Sequence, residues 1–169
     1  MSQVCDDSLA KVDEARYFLG LMERIEKRQT TLVQGYTAKQ EYTYLLSAFV
    51  GACYGVTEYL WHGLKTSRAS VENFREKRKH MYGDGPKGGW RTLTVHFRPV
   101  EPNREGYIPP MGNEVNFYCQ PYTPPSGNQV NFYVKDEYYF TDDPSERAIT
   151  RQCEEHLAEL KKLVTQNCP

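Results

Sequence analysis

The sequence predicts a mainly α protein, in which four helices form a bundle and a β-hairpin is inserted before the last helix. Long segments without proline carry apolar residues every three or four positions, which is typical of amphipathic helices. The segment at about 102–140 instead carries turn and strand signals only. The chain has 169 residues, which fits one domain with an ordinary core, so we expect a single domain over 1–169.

The first two helices are predicted over 7–28 and 39–64. In the first, Val12, Ala15, Leu19 and Met22 form an apolar stripe, and basic residues end the helix as the helix dipole favours. The second is the central helix of the bundle, because it has the longest apolar stripe in the chain. The stripe consists of Tyr42, Leu46, Phe49, Cys53, Val56 and Leu60.

A line of small residues lies beside that stripe and comprises Ser47, Gly51 and Gly55. A glycine inside a helix costs about 1 kcal/mol relative to alanine, so this line indicates that another backbone lies close. The neighbour is expected within the chain or in a second copy, which makes these residues a candidate dimer interface. Ordinary core packing is the alternative interpretation.

A third helix is predicted to follow, capped by Ser70 and ended by the glycine-rich loop at 83–89. Its inner face would contain Val71, Phe74, Arg78 and Met81. Its outer face would carry the basic run at 75–79. The next segment, 90–100, is predicted as a strand by propensity, with a short helical turn as the alternative.

The β-hairpin prediction rests on a near-repeat, in which the pattern Asn-x-Val-Asn-Phe-Tyr occurs at 113–118 and again at 128–133. Both copies alternate apolar and polar residues, and 137–140 is a candidate third strand. The last helix is predicted to start at a cap formed by Asp143, with Pro144 in its first turn. Its inner stripe would contain Ile149, Cys153, Leu157, Leu160 and Val164.

Composition narrows the range of functions. No apolar run is long enough to cross a membrane, and the polar, acidic N-terminus is unlike a signal peptide, so a cytoplasmic location is expected. The five cysteines are scattered, which predicts buried small side chains rather than a zinc site or a disulfide framework. The four histidines lack ligand spacing, so neither a metal nor another cofactor is expected.

Charge is distributed unevenly along the chain. The segment 62–104 has ten Lys/Arg and four Asp/Glu, a net charge of +6, whereas the whole chain has a net charge of −1. A local basic field attracts polyanions, so Arg75, Lys77, Arg78 and Lys79 are candidate RNA-binding residues. A solvated helix face is the alternative interpretation of the same run.

Arg91 and His96 are the candidate catalytic residues. An arginine holds a phosphate through paired hydrogen bonds, and a histidine titrates near neutral pH. Together they could cleave RNA without a metal. The histidine would move the proton of the 2′-hydroxyl or of the leaving oxygen, and the arginine would offset charge on phosphorus. On a regular helix the two side chains would diverge, so a shared site requires an irregular turn, a helix end or a second subunit.

Four segments in order resemble the HEPN superfamily: YLLSAFVGACYGVTEYL, NFREKRKHMYGD, WRTLTVHFRPV, and YYFTDDPSERAITRQCEEHLAELKKLV. The resemblance implies a HEPN-like four-helix up-and-down bundle that forms a homodimer, with the β segment as an insertion. It also implies a metal-independent endoribonuclease in which an Arg-x4–6-His motif from each subunit meets across the dimer cleft. Arg91 and His96 match that motif, whereas Thr92 departs from the polar Asn, Asp or His that is usual after the arginine.

The sequence therefore predicts two alternative functions. The first is a ribonuclease or RNA-binding protein of a toxin or defence type, which would have RNA and a neutralising protein as partners. The tyrosines of the inserted segment could stack RNA bases, with an ordinary position on an exposed sheet as the alternative. They are Tyr107, Tyr118, Tyr122, Tyr133 and Tyr138. The second is a non-catalytic helical module for dimerisation or protein interaction.

Overall fold

The computed structural model describes residues 2–28, 30–83, 89–92, 102–103, 137–140 and 147–168. Helices dominate these ranges, which confirms the mainly α class and the helical bundle. The helices are α1 (Gln3–Arg28), α2 (Ala38–Gly63), α3 (Arg68–Glu76), α4 (Lys79–Tyr82), α5 (Trp90–Thr92) and α6 (Ile149–Asn167), and one 3₁₀ turn, Lys65–Ser67, precedes α3.

The central position of α2 is confirmed by burial. All six residues of its predicted stripe are fully buried, together with Val50. Helix α1 packs along α2 with the opposite chain direction, because Gly63 at the end of α2 lies against Val4 at the start of α1. A methyl group on Gly63 would overlap the side chain of Val4. Thr37 begins α2 with a reciprocal capping box, in which the Gln40 N–H donates to the Thr37 hydroxyl and the Thr37 N–H to the Gln40 side chain.

Helix α6 runs antiparallel to α1, and polar contacts join the two helices at both ends. At the start of α6, the Thr150 hydroxyl donates to the Glu26 carboxylate over 2.9 Å. At its end, Cys168 forms a disulfide with Cys5, with 5.7 Å between the Cα atoms. The prediction of buried thiols was therefore wrong for this pair, because the fold brings together two cysteines from opposite ends of the chain. Cys53 and Cys153 are buried and free, as predicted.

The third predicted helix is broken in two by a turn at 77–78, which separates α3 from α4. Ser67, not Ser70, occupies the N-cap position of α3, so the predicted cap was wrong. Ser70 lies inside the helix, where its hydroxyl donates to the Ser67 carbonyl and hydrogen-bonds the side chain of Asn167. The Ser70 hydroxyl oxygen lies 2.7 Å from the Ser67 carbonyl oxygen, so a backbone carbonyl one turn earlier accepts the hydrogen bond of this helical serine.

Two short strands are described, β1 (Pro102–Asn103) and β2 (Tyr139–Phe140). They pair antiparallel, with Pro102 opposite Phe140 and Asn103 opposite Tyr139. The predicted hairpin strands at 113–118 and 128–133 lie outside the described residues. Within the described ranges, no helix is long and apolar enough to cross a membrane.

The start of α6 differs from the prediction. The helix begins at Ile149 after an N-cap at Ala148, so the predicted Asp143 cap was wrong. The Ile149 N–H donates to the Tyr138 carbonyl over 2.9 Å, and the Tyr138 N–H donates to the Glu26 carboxylate over 3.1 Å. Contacts from the residues before β2 thus replace a local cap. Tyr138 is itself buried, with its ring 4.1 Å from that of Tyr42, so its predicted role in base stacking was wrong.

Candidate functional site

The short helix α5 is positioned by two glycines. The Gly89 N–H donates to the Gly83 carbonyl over 2.8 Å, which closes the base of the glycine-rich loop. Gly89 is buried against the backbone of Met81, where a side chain would overlap main-chain atoms. The loop interior, 84–88, lies outside the described residues. At Gly83 a side chain would overlap the carbonyl oxygen of Lys79, so close backbone approach requires glycine at both ends of this loop.

Trp90 anchors α5 to the bundle. Its ring lies 4.6 Å from that of Phe140 and 5.7 Å from that of His80, and the residue is only 9% exposed. A buried indole of this size fixes the orientation of a three-residue helix that has few backbone hydrogen bonds of its own. The next residue, Arg91, then points toward α2.

Two guanidinium groups lie against one tyrosine ring of α2. The Cζ atom of Arg91 is 4.0 Å from the centroid of the Tyr54 ring, and that of Arg75 is 4.8 Å from it. Such cation–π contacts contribute about 1 kcal/mol each, more when they are desolvated. We call Tyr54, Glu58, Arg75 and Arg91 the arginine–tyrosine cluster. Three separate helices, α2, α3 and α5, contribute its members.

Arg75 is held in this cluster by hydrogen bonds to α2. Its guanidinium donates to the Thr57 hydroxyl over 3.0 Å and to the Glu58 carboxylate over 2.5 Å. His62, one turn after Glu58, lies 3.4 Å from the second carboxylate oxygen. The imidazole is largely exposed, so a histidine side chain lies beside the cluster at the surface.

The ionisable groups of the cluster have shifted pKa values. Burial opposes ionisation of Glu58, but hydrogen bonds from Arg75 and Tyr54 outweigh it and lower the pKa of the carboxyl group. Burial, together with the neighbouring Glu58, raises the pKa of the Tyr54 hydroxyl. At neutral pH the cluster therefore contains a neutral tyrosine, one carboxylate and two guanidinium cations.

Behind the cluster lies a buried hydrogen bond between Tyr82 and His156, 2.7 Å from Oη to Nε2. The Tyr82 ring is 6.3 Å from that of Tyr54, so the pair supports the cluster from inside. Burial, assisted by the positive charge of Arg78, lowers the pKa of His156 to about 3. His156 is therefore neutral at physiological pH, and its Nδ1 has no hydrogen-bond partner among the described residues.

The predicted RNA-binding residues separate into two environments. Arg75 and Arg78 are partly buried, and Arg78 lies over the Phe74 ring at 4.0 Å while its guanidinium contacts Glu159 at 3.3 Å. This agrees with the predicted inward position of Arg78. Lys77 and Lys79 are exposed, and Lys79 pairs with Glu76. The basic run is consequently not one continuous solvent-facing surface.

The proposed catalytic pair is described only in part. Arg91 is half-buried on Tyr54, whereas His96 lies outside the described residues, so their pairing stays a prediction. Sequence reasoning did not identify Tyr54 as a contact of Arg91, nor Glu58 and His62 as residues of the same surface. Their spacing of four residues places all three along one side of α2, and this periodicity was the available signal.

The predicted dimer residues lie along a partly open side of α2. Gly51 is exposed, and nothing in the described chain lies within 4 Å of the position a Cβ would occupy. At Gly55 the aliphatic part of Lys11 approaches to 3.5 Å, an ordinary contact. Ser47 is half-buried. The atoms nearest to a Cβ at Gly55 are thus side-chain atoms of Lys11, and the position at Gly51 is open in the described chain.

No protein-family model, curated protein or solved structure matches this chain. Across the ranges that the structure describes, no group of three or more His, Cys, Asp or Glu side chains is placed to hold a metal ion. A functional assignment consequently rests on the chemistry of the arginine–tyrosine cluster and on the sequence motif.

Proposed function

We propose that this protein is a HEPN-like, metal-independent endoribonuclease or RNA-binding protein of a toxin or defence type. The observation that carries the proposal is the convergence of Arg75 and Arg91 on the Tyr54 ring. Arginine is the side chain best suited to bind phosphate, because its planar group donates paired hydrogen bonds. A tyrosine between two such groups adds an aromatic surface of the kind that contacts nucleobases.

The arrangement within the cluster suggests separate tasks for the two arginines. Arg75 is committed to Thr57 and Glu58, so it stiffens the site and contributes positive potential. Arg91 comes from a short helix held by Trp90 and lies half-exposed. We therefore assign to Arg91 the contact with the scissile phosphate, and to His96 the proton transfer that cleavage requires.

A homodimer belongs to the same proposal. The exposed Gly51 and its small neighbours leave one side of α2 open to a second helix, and the resemblance to the HEPN superfamily implies that two copies combine their motifs. A neutralising protein partner and a β insertion at about 102–140 complete the expected organisation. The open side of α2 also favours the second candidate function, a non-catalytic dimerisation module.

Cleavage of RNA in EDTA by the wild type, Arg91→Ala and His96→Ala tests the proposal. We expect products that end in 2′,3′-cyclic phosphate and a loss of about a hundredfold or more in rate for each variant. Arg16→Ala is the matched control, because Arg16 is an exposed arginine on α1 that pairs with Asp13. Equal cleavage by all four proteins would show that a contaminant is responsible.

RNA binding separates the enzyme from a binding protein. The affinity for a fluorescent single-stranded oligoribonucleotide should fall with Arg91→Ala. The slope of log affinity against log salt concentration should decrease in magnitude by about 1, which corresponds to the loss of one phosphate contact. If the wild type neither cleaves nor binds RNA of several classes, the dimerisation module becomes the better assignment.

A further inference from the structure

An open cleft of about 550 Å³ lies at the end of the bundle where α1 connects to α2. The arginine–tyrosine cluster takes its α2 residues from the second half of that helix, whereas the cleft uses residues from its first two turns. The lining is formed by residues of α1, of the connection between α1 and α2, and of α2, among them Tyr17, Arg24, Leu32, Val33, Tyr36 and Tyr44. None of them belongs to the candidate site described above.

Exposed apolar side chains are concentrated at this cleft. Six large hydrophobic residues of the described chain are exposed, and five of these line the cleft. They are Tyr17 (63% exposed), Leu32 (38%), Val33 (56%), Tyr36 (48%) and Tyr44 (56%). Single exposed apolar residues are common on protein surfaces, but a contiguous group is typical of an interaction site.

The connection between α1 and α2 is held in place by a buried carboxylate. Glu41 is 6% exposed and accepts the N–H groups of Leu32 and Val33, over 2.6 Å and 2.5 Å. Gly35 turns the chain with a positive φ of 91°. These hydrogen bonds therefore fix the backbone of Leu32 and Val33 in a position that leaves both side chains exposed to solvent. A surface that is ordered before binding loses less entropy when a partner binds.

Basic side chains lie in the cleft lining and in the turn of α1 that follows it. Arg24 lines the cleft, and Lys27 and Arg28 follow in the last turn of α1. None of these three cations forms an ion pair within the described part of the chain. The one acidic residue of the lining, Glu41, already accepts two backbone N–H groups. Because Glu41 is buried and Arg24 is exposed, the charge that the lining presents to solvent is positive and suits a negatively charged partner.

From these features we infer that the cleft binds a segment of another protein in which apolar side chains are flanked by Asp or Glu. Its apolar residues would pack between Tyr17, Tyr36 and Tyr44, and its carboxylates would pair with Arg24 and the cations after it. Leu32 and Val33 favour a polypeptide over RNA, because aliphatic side chains pack on apolar groups and do not stack on bases. The inference is independent of the proposed ribonuclease activity.

Selection from a displayed library of random twelve-residue peptides tests this inference on the full chain. Enriched peptides should share two or more large apolar residues flanked by Asp or Glu. A fluorescent synthetic copy of the most enriched peptide should bind at least tenfold more weakly to Tyr44→Ser and to Arg24→Glu. Binding should also weaken with salt, because exposed charge pairs are screened.

Matched controls separate the cleft from the rest of the surface. Tyr59→Ser removes the sixth exposed hydrophobic residue, which is on the same helix as Tyr44 but outside the cleft lining, and should leave peptide affinity unchanged. Arg16→Glu reverses a charge on α1 outside the lining, and should weaken binding less than twofold. Thermal unfolding of each variant confirms that it folds.

Three outcomes would overturn the inference. The first is a library that enriches no peptide above the level obtained with Tyr44→Ser as bait. The second is a set of enriched peptides without acidic residues, or peptides whose affinity falls equally with Tyr59→Ser. The third is that the affinity of a labelled oligoribonucleotide depends on Tyr44 whereas that of every peptide does not. That result would make the cleft an RNA-stacking surface.

Discussion

The hydroxyl of Tyr82 and Nε2 of His156 form a 2.7 Å hydrogen bond inside the bundle, 74 residues apart in sequence. Because His156 is buried and its pKa is lowered to about 3, the folded protein keeps this imidazole neutral well below pH 6. An unfolded chain protonates the same side chain near pH 6.5. The difference links stability to pH.

Acid should therefore destabilise the protein between about pH 6.5 and pH 3. In that window the unfolded state binds a proton at His156 that the folded state does not, so the free energy of unfolding falls as pH falls. At about 1.4 kcal/mol per pKa unit the loss amounts to several kcal/mol. Urea unfolding at a series of pH values measures it.

The matched variant for this prediction is His156→Gln, which retains a polar group for Tyr82 but does not titrate. It should flatten the pH dependence over that window. Glu26 acts in the opposite sense, because burial raises its pKa and favours the folded state at acid pH. The pH range affected by Glu26 lies above its ordinary pKa of 4.5. Because Glu26 is present in both proteins, its effect is common to both pH profiles. An unchanged slope in His156→Gln would therefore contradict the assignment of the acid destabilisation to His156.

Gly89→Ala should displace α5 and with it Arg91. A methyl group at this position would overlap the backbone of Met81, so the loop or α4 must shift. We expect a loss of about 2 kcal/mol in the free energy of unfolding and a red shift of Trp90 fluorescence, since Trp90 would become exposed. The spectrum is recorded in a Trp61→Phe background, so that Trp90 is the only tryptophan that contributes to the fluorescence.

Gly20→Ala controls for the backbone effect of the substitution. Gly20 lies inside α1 with nothing within 4 Å of its Cβ position, so alanine there should raise stability by up to about 1 kcal/mol. If Gly89→Ala is as well tolerated as Gly20→Ala and Trp90 stays buried, the loop does not position Arg91 in the manner described.

The disulfide between Cys5 and Cys168 should contribute substantially to stability. It closes a loop with a sequence separation of 163 residues, for which chain-entropy arguments give about 4 kcal/mol or more. Cys5→Ser and the reduced wild type should therefore unfold at lower urea concentration. Cys53→Ala provides the comparison for loss of a free, buried thiol. Equal unfolding of reduced and oxidised protein would show that the bridge does not stabilise the fold.

Thiol labelling of the native oxidised protein gives an independent check. Burial raises the pKa of both Cys53 and Cys153, so neither should react with a thiol reagent until the protein unfolds. Rapid labelling of Cys5, Cys53, Cys153 or Cys168 at neutral pH would contradict the burial of the two free thiols or the presence of the bridge.

Local patterns predicted the helices better than the contacts between distant segments. The stripe of α2 was predicted from spacing alone, because burial on one side of a helix imposes a period of 3.6 residues. The disulfide and the Tyr138–Glu26 contact could not be predicted, since they join distant segments. Within the site, Arg91 was identified by residue type, whereas its contact with Tyr54 depends on the path of a glycine-rich loop.

Substitutions at Gly51 distinguish a dimer from a monomeric bundle. If its side of α2 is free in solution, Gly51→Ala should raise the free energy of unfolding by about 1 kcal/mol, because nothing in the described chain opposes a methyl group there. If a second copy packs on Gly51, as we propose, the same substitution should weaken dimerisation. Gly51→Leu should then abolish dimers while preserving the helical circular dichroism spectrum. Sedimentation equilibrium across a range of protein concentrations measures both variants, with Gly20→Ala and Gly20→Leu as matched controls on α1. A wild type that is monomeric at every concentration, combined with a stabilising Gly51→Ala, would eliminate this interface, and a site shared between two copies would then require a different contact surface.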